Sequence, residues 1–232
     1  LVSLIIFFLF FKPKVNLKKN FKIQIIRSIL MVTATSFMFF SLQKFDLVDI
    51  YVVFFTAPLI VSLLSAYFLK DILSTKGILL MLLSFGSIVY SLGPSMKIFS
   101  LDLIFPIVPP ICWALYQFFT KVVSGDNDPF AAIFYTSILG AIIFSVFIIF
   151  NWVPLEKNIF WFYLIILGTL GFISHSLIIY AIQLSNLSFV TNFQYSQLVW
   201  STIINFLIFG VPFDYNKIVG VIGIIVFGIM FI

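Results

Sequence analysis

Apolar runs of membrane-spanning length follow one another along almost the entire chain. A helix needs about 20 apolar residues to cross the hydrocarbon core of a bilayer. Because backbone N–H and C=O groups in lipid must form hydrogen bonds within their own segment, such runs predict helices. Only 9% of the residues are charged, against about 25% in soluble domains. The predicted spans are 23–42, 47–69, 77–92, 103–120, 130–150, 159–182, 188–210 and 218–232. A run at 1–11 is too short to span, and we interpret it as the end of a helix that begins before this sequence.

Lysines are concentrated in the loops that alternation places on one side of the membrane. The segment 12–22 holds five lysines and is predicted to be cytoplasmic. With that loop inside, nine Lys and Arg fall on the cytoplasmic side and four on the other. The net charge of +5 therefore reflects topology, with the lipid bilayer and not nucleic acid as the partner. We expect a multi-pass protein of a bacterial inner (cell) membrane with a cytoplasmic C-terminus.

The chain has few residues that hold metals or perform acid–base chemistry. Its one cysteine, Cys112, and one histidine, His175, exclude an internal disulfide and a Cys/His zinc cluster. All eight acidic residues fall at predicted helix ends or in loops, so a buried carboxylate relay is not expected. We therefore expect no catalytic residue, metal or cofactor, and a carrier would work by exchange, by facilitated transport or by coupling through His175.

The chain matches itself weakly when it is shifted by 140 residues. Residues 41–47 then lie over 181–187, Thr56 over Ser196 and Ser65 over Asn205. Restoring one helix before residue 1 gives five helices per repeat, and an odd number inverts the second repeat. The predicted fold is an all-α polytopic membrane bundle of two inverted repeats, with helices 2–5 in 1–97 and helices 6–10 in 98–232.

Polar side chains line one face of the predicted span 188–210. The residues Thr191, Gln194, Gln197, Ser201 and Asn205 are spaced by 3, 3, 4 and 4, which places them on one side of a continuous helix. Side-chain amides facing lipid are costly, so this face requires a partner helix or a watery cavity.

A second polar face is predicted in the span 103–120, and together the two faces give a candidate binding site. Glutamine amides and aromatic rings suit a neutral, zwitterionic or partly aromatic metabolite. The aromatic residues have an alternative role in packing or lipid contact, and Tyr51, Tyr135 and Tyr195 are weaker candidates. The predicted substrate-binding residues are Trp113, Tyr116, Gln117, His175, Gln194, Gln197, Trp200 and Ser201.

Three further positions have two interpretations each. His175 is either a neutral hydrogen-bonded imidazole or a substrate or proton contact. Arg27 either snorkels to the membrane surface or lies at a cavity mouth. We expect no buried Arg or Lys that could pair a multiply charged anion, so such a substrate is disfavoured. Pro58 kinks its helix for a cavity or for packing, and the prolines of 106–110 predict a bent or partly unwound helix.

The chain resembles the EamA-type family of the drug/metabolite transporter superfamily. The resemblance lies in WALYQFFTK (113–121), DPFAAIFYTSILGAI (128–142), FQYSQLVWSTIINFLIFG (193–210) and the glycine pattern of 220–228. In the first half it lies in 41–71, including the Thr-x-Pro at 56–58. The resemblance implies a ten-helix inner-membrane carrier that works by alternating access.

These observations favour a secondary transporter (permease) for a small neutral, zwitterionic or amphipathic metabolite, amino-acid or drug-like. One alternative is a non-transporting membrane scaffold or a truncated remnant. A weaker alternative is an integral membrane enzyme acting on lipid, since His175 has no carboxylate on its own helix. The substrate, the direction of transport and the oligomeric state, monomer or homodimer, are left open.

Overall fold

The computed structural model describes residues 19–45, 47–70, 74–92, 101–124, 129–150, 158–210 and 215–231, and these are almost entirely helical. The apolar run 1–11 and most of the lysine-rich loop lie outside the described residues. The helices are α1 Phe21–Leu42, α2 Leu47–Phe54, α3 Ala57–Leu64, α4 Thr75–Leu92, α5 Ile104–Ser124, α6 Pro129–Phe150, α7 Asn158–Leu184, α8 Leu187–Asn192, α9 Ser196–Phe209 and α10 Tyr215–Phe231.

The predicted span 47–69 is a broken helix. Helix α2 ends at Phe54 and α3 begins at Ala57, with Pro58 in its first turn, where a missing N–H costs little. Thr56 stabilises the break, because its Oγ1 and its backbone N–H both donate to the Val53 carbonyl, at 2.7 and 3.0 Å. The kink predicted here coincides with a turn at Phe55 and Thr56 that separates the two helices.

The predicted span 188–210 is also broken, and this break was not expected. Helix α8 ends at Asn192, a single 3₁₀ turn covers Phe193–Tyr195, and α9 begins at Ser196. The prediction of one continuous polar face is therefore wrong, because a 3₁₀ turn changes the rotation per residue. Thr191 is buried and Gln197 is exposed, so the polar residues do not share one environment.

Helix α5 is continuous from Ile104 in spite of its prolines, so the partial unwinding expected there is not observed. Pro106 falls in the first turn, where no intrahelical N–H bond is lost. Pro109 and Pro110 lie within the helix and remove the donors to the Phe105 and Pro106 carbonyls. All three prolines are buried.

The chain forms two compact units. Unit 1 contains the described parts of 1–33 and 119–184, and unit 2 contains 34–118 and 185–232. Helices α1 and α5 run from one unit into the other. In unit 1, Ala132, Ile133, Phe172 and Ile179 form the core. From 159 to 167 every side chain of α7 is exposed and apolar, which is a surface suited to lipid and not to water.

In unit 2, α4 packs against α10, and the two break regions join the same core. That core consists of Phe55, Met81, Ile88, Tyr195, Leu198 and Ile224. The helices approach closely at Gly223, where an added Cβ would lie 2.4 Å from the Oγ of Ser87 and 3.0 Å from its Cβ. Small residues allow such close approach between membrane helices.

Four described segments are long and apolar enough to cross a membrane, judged by length and composition. They are Phe21–Leu42, Ile50–Leu69, Ala131–Phe150 and Ile159–Leu184. Two shorter apolar helices are Thr75–Tyr90 and Ile218–Phe227. The helix bounds agree with the predicted spans to within a few residues, except where the two breaks interrupt them.

Candidate functional site

The second helix break places an amide beside α5. Gln194 lies in the 3₁₀ turn, and its Nε2 donates to Oε1 of Gln117 at 2.7 Å. The indole Nε1 of Trp113 donates to Oε1 of Gln194 at 3.3 Å. Trp113 and Gln117 are four residues apart on α5 and so share one helix face. The nitrogen and the oxygen of the Gln194 amide are thus both hydrogen-bonded to the same helix. We call Trp113, Gln117 and Gln194 together the amide cluster.

Aromatic rings enclose the amide cluster. Trp113 stacks on Tyr116 with ring centroids 5.3 Å apart and an interplanar angle of 21°. Phe54, the last residue of α2, lies on Trp113 with centroids 6.2 Å apart. Tyr116 is almost completely buried, and Gln117 is completely buried. The surroundings are therefore apolar, which strengthens the hydrogen bonds of the amides.

The amide cluster retains a spare donor. Among the described residues, no acceptor lies within hydrogen-bond distance of the buried Nε2 of Gln117. A buried amide hydrogen without a partner costs free energy, so a ligand or water with an oxygen acceptor is a natural partner. Four buried side-chain oxygens also have no hydrogen-bond partner among the described residues, namely those of Ser62, Ser188, Asn192 and Tyr195.

The remaining predicted site residues lie outside the amide cluster. Gln197 is exposed and Trp200 is 62% exposed. Ser201 falls within α9, but its side chain is outside the described part of the structure. His175 is half-buried on α7 in unit 1. The site assignment of these four residues stays a prediction.

The weaker tyrosine candidates occupy different surroundings. Tyr195 is buried in the core of unit 2 against Phe55. Tyr51 packs at the edge of that core. Tyr135 belongs to unit 1, where its ring meets Phe21 edge-on with centroids 5.8 Å apart.

Arg27 is fully buried in unit 1, so its interpretation as a snorkelling anchor is wrong. Its guanidinium donates from Nη1 to Thr120 Oγ1 and from Nη2 to Thr136 Oγ1, both at 3.0 Å, and also to the Ala132 carbonyl. The guanidinium therefore donates its hydrogen bonds to three oxygens on α5 and α6 and does not extend to the membrane surface. The statement that no buried cation is present is wrong for the same reason.

Sequence reasoning missed two features of the sites. Gln24 is fully buried one turn before Arg27. Its spacing of three residues could have indicated that the two side chains share a helix face. The half-helices α3 and α8 bury Ser62, Ser188 and Asn192. Nothing in the local sequence distinguishes these from the polar residues of any membrane helix.

Comparison with known proteins agrees with this architecture. A family model described as the EamA-like transporter family matches residues 1–93 and 101–232. Among solved structures, 26 chains match. One, described as "Crystal structure of protein", is 14% identical, covers 98% of this chain and 81% of its own, and has a TM-score of 0.82. At that identity it shows the fold alone. No curated protein sequence matches. The predicted helical membrane bundle with two repeats is confirmed.

Proposed function

Because the chain belongs to the EamA-like transporter family, we propose that it is a secondary carrier for a small neutral, zwitterionic or amphipathic metabolite. The observation that carries the proposal is the hydrogen bond between Gln194 and Gln117 at a helix break. Membrane helices rarely bury two amides without a function, since polar groups in the membrane are expensive. The carrier interpretation gives the amide cluster a role in substrate recognition.

The chemistry of the amide cluster supports this substrate class. The spare Nε2 of Gln117 is a neutral donor, suited to a carbonyl, hydroxyl or carboxylate oxygen. The stacked pair of Trp113 and Tyr116 presents apolar faces and edges on which an aromatic or aliphatic group packs. Substrate binding would replace the long Trp113–Gln194 contact of 3.3 Å with shorter bonds to the ligand.

The two broken helices support alternating access as the mechanism. Secondary transporters commonly place their sites at interrupted helices in corresponding positions of two repeats. Here the interruptions end at Thr56 and Tyr195, close to the 140-residue offset between repeats. Freed backbone groups at such breaks are tolerated where they line a cavity. We propose that the breaks are the hinges about which each repeat moves.

Transport by the purified protein tests the proposal. A thermal-shift panel of neutral and zwitterionic metabolites on the full chain would identify a ligand, and uptake of that ligand into proteoliposomes would follow. We expect Gln117→Ala to abolish uptake with normal membrane insertion, whereas Gln43→Ala, a change at an exposed turn, leaves uptake unchanged. Unaltered uptake by Gln117→Ala would exclude the amide cluster as the site. Gln197→Ala tests whether the exposed position on α9 belongs to it.

The membrane orientation forms part of the proposal. The distribution of Lys and Arg, nine against four, supports a cytoplasmic location in a bacterial cell for Lys76 and the C-terminus and an outside location for Lys44. Cys112 is the one cysteine of the sequence, so Cys112→Ala gives a background for single cysteines. We expect an impermeant maleimide added to whole cells to label Lys44→Cys and not Lys76→Cys. The opposite labelling would reverse the orientation.

A further inference from the structure

The hydrogen bonds of the amide cluster all run in one direction. The indole Nε1 of Trp113 donates to Oε1 of Gln194 at 3.3 Å, and Nε2 of Gln194 donates to Oε1 of Gln117 at 2.7 Å. The Nε2 of Gln117 comes next, and among the described residues no acceptor lies within hydrogen-bond distance of it. The three side chains therefore form a series of hydrogen bonds that begins with one donor and ends with another.

Trp113 fixes that direction. An indole N–H can only donate, whereas a glutamine amide offers a carbonyl oxygen on one side and an NH₂ group on the other. If the Gln194 amide were turned over, its NH₂ group would face the indole N–H, and two donors would oppose each other. The carbonyl oxygen of Gln194 therefore faces Trp113 and its NH₂ group faces Gln117. This leaves the NH₂ group of Gln117 at the end of the series.

The burial of Gln117 gives this direction a consequence for binding. Gln117 is completely buried, whereas Trp113 and Gln194 are half-buried. Water competes little at a buried donor, so a ligand atom that cannot accept a hydrogen bond leaves the Gln117 amide unsatisfied. Hydrogen bonds in series also polarise one another, which strengthens the last donor. The end of the series thus discriminates between an acceptor and a donor on the ligand.

We propose that Trp113 is a positioning residue that sets the polarity of the amide cluster, so that the cluster binds the acceptor end of its substrate. The inference rests on the proposed transport function, in that the bound molecule is the carried metabolite. It narrows the substrate class to molecules with a carbonyl or carboxylate oxygen beside an apolar group, which packs on the stacked rings of Trp113 and Tyr116. An ammonium group has no acceptor, so a zwitterion binds Gln117 through its carboxylate.

Binding of two neutral probes to the full chain tests the polarity without any transport. Acetophenone is an aromatic ring with a carbonyl acceptor and no donor, and indole is a ring system of similar size with an N–H donor. Each is titrated into the protein in phosphatidylcholine nanodiscs, and the rise in Tm gives an apparent affinity. Gln117→Leu has neither donor nor acceptor and measures the effect of partitioning into lipid. Relative to that background, we expect the parent chain to favour acetophenone over indole by about 2- to 12-fold, and equal affinities would overturn the proposal.

Trp113→Phe tests the role of the indole N–H. The variant keeps an aromatic ring but lacks the donor, so both orientations of the Gln194 amide become possible. We expect the ratio of the two apparent affinities to fall towards one. If Trp113 served in packing alone, both probes would bind more weakly and their ratio would stay that of the parent chain, and this result would overturn the proposal.

Gln194→Glu is expected to invert the preference. All titrations are made at about pH 8.5, well above the ordinary pKa of a glutamate, so this carboxylate is ionised and both of its oxygens only accept. It would accept from Trp113 and from the Gln117 NH₂ group, which turns the Gln117 amide over and leaves its carbonyl oxygen at the end of the series. Indole should then bind more tightly than acetophenone. Gln43→Glu makes the same change of charge at an exposed turn and should keep the preference of the parent chain.

The same measurements separate this inference from the proposed function. A preference for acetophenone that Gln194→Glu inverts, without uptake of any metabolite, would support the polarity and contradict the transport function. Uptake that Gln117→Ala abolishes, together with an unchanged preference in Gln194→Glu, would support the transport function and overturn the polarity.

Discussion

The rings of Phe55 and Tyr195 are in contact, with centroids 6.2 Å apart, although 140 residues separate them in the chain. That separation equals the 140-residue offset of the predicted self-match, and on that prediction the two residues occupy equivalent positions. Each residue also adjoins a helix break, and the two interruptions therefore meet within unit 2.

Trp113 contacts a second equivalent pair. It lies against the ring of Phe54 and donates to the amide of Gln194, and these positions again differ by 140. On the predicted repeat division, the first repeat supplies an apolar side chain where the second supplies a hydrogen-bonding one. The predictions on the amide cluster follow from the contacts of Trp113, Gln117 and Gln194.

We expect Gln117→Leu and Gln194→Leu to be coupled. Each single change removes one partner of the 2.7 Å hydrogen bond, and the double change removes both. Hydrogen bonds between membrane helices contribute about 0.6 kcal/mol on average and up to about 1.7 kcal/mol, so we expect a coupling energy in that range. Denaturation of the four proteins in mixed micelles measures it. Simple additivity would show that the bond contributes nothing to stability.

Trp113 is expected to act both through its ring and through its indole N–H. Trp113→Phe keeps an aromatic ring against Tyr116 but loses the donor to Gln194. The loss of one neutral hydrogen bond corresponds to about 0.5–1.5 kcal/mol, or roughly a 2- to 12-fold weaker affinity for the metabolite found in the thermal-shift panel. Trp113→Leu also loses ring packing and should bind more weakly still. Trp161→Phe, at an exposed position on α7, is the control. An equal loss of affinity in Trp161→Phe would contradict the role proposed for Trp113.

Arg27 is expected to stabilise unit 1. Arg27→Met leaves Thr120 and Thr136 without the donor they share, and we expect a loss of about 2 kcal/mol or more in the free energy of unfolding. Thr136→Val should cost less, because one of the three contacts is removed. Lys76→Met, which removes an exposed charge at the start of α4, should cost under about 1 kcal/mol. Chemical denaturation in micelles compares the four proteins.

The sequence was sufficient to predict the helices and their membrane character, because each depends on local hydrophobicity. It also predicted a kink at Pro58, since proline disturbs a helix by its own chemistry. The break at 193–195 contains neither Pro nor Gly, so no local rule indicated it. The 140-residue offset was the available signal, because it maps the break after Phe54 onto this region. The break depends on tertiary packing against α5 and the other broken helix. This packing cannot be read from the local sequence.

The candidate site was predicted in part, for a related reason. Helical spacing identified Trp113, Tyr116 and Gln117 as one face, and α5 is continuous there. The same spacing failed for Gln197, because the 3₁₀ turn separates it from Gln194. The burial of Arg27 depends on Thr120 and Thr136, which are 93 and 109 residues away. Contacts of that range are not readable from a pattern along one helix.

The packing of α4 on α10 gives a prediction at Gly223 of α10, with a control at Gly86 of α4. A Cβ at Gly223 would lie 3.0 Å from the Cβ of Ser87 and closer still to its Oγ, so the Ser87 side chain must rotate and the two helices must separate slightly. We expect Gly223→Ala to lower the free energy of unfolding by about 1–3 kcal/mol. Gly86→Ala, where nothing lies within 4 Å of the added Cβ, should be neutral or stabilising by about 0.5–1 kcal/mol.

The compensating change is Ser87→Gly, which removes both of the crowding atoms and should restore part of the stability lost in Gly223→Ala. Ser87 donates its own hydroxyl to the Leu83 carbonyl within α4, so Ser87→Gly alone is expected to be mildly destabilising. The double variant should then be more stable than the sum of the two single effects predicts. Equal costs for Gly223→Ala and Gly86→Ala would mean that α4 and α10 do not touch at this point in the membrane.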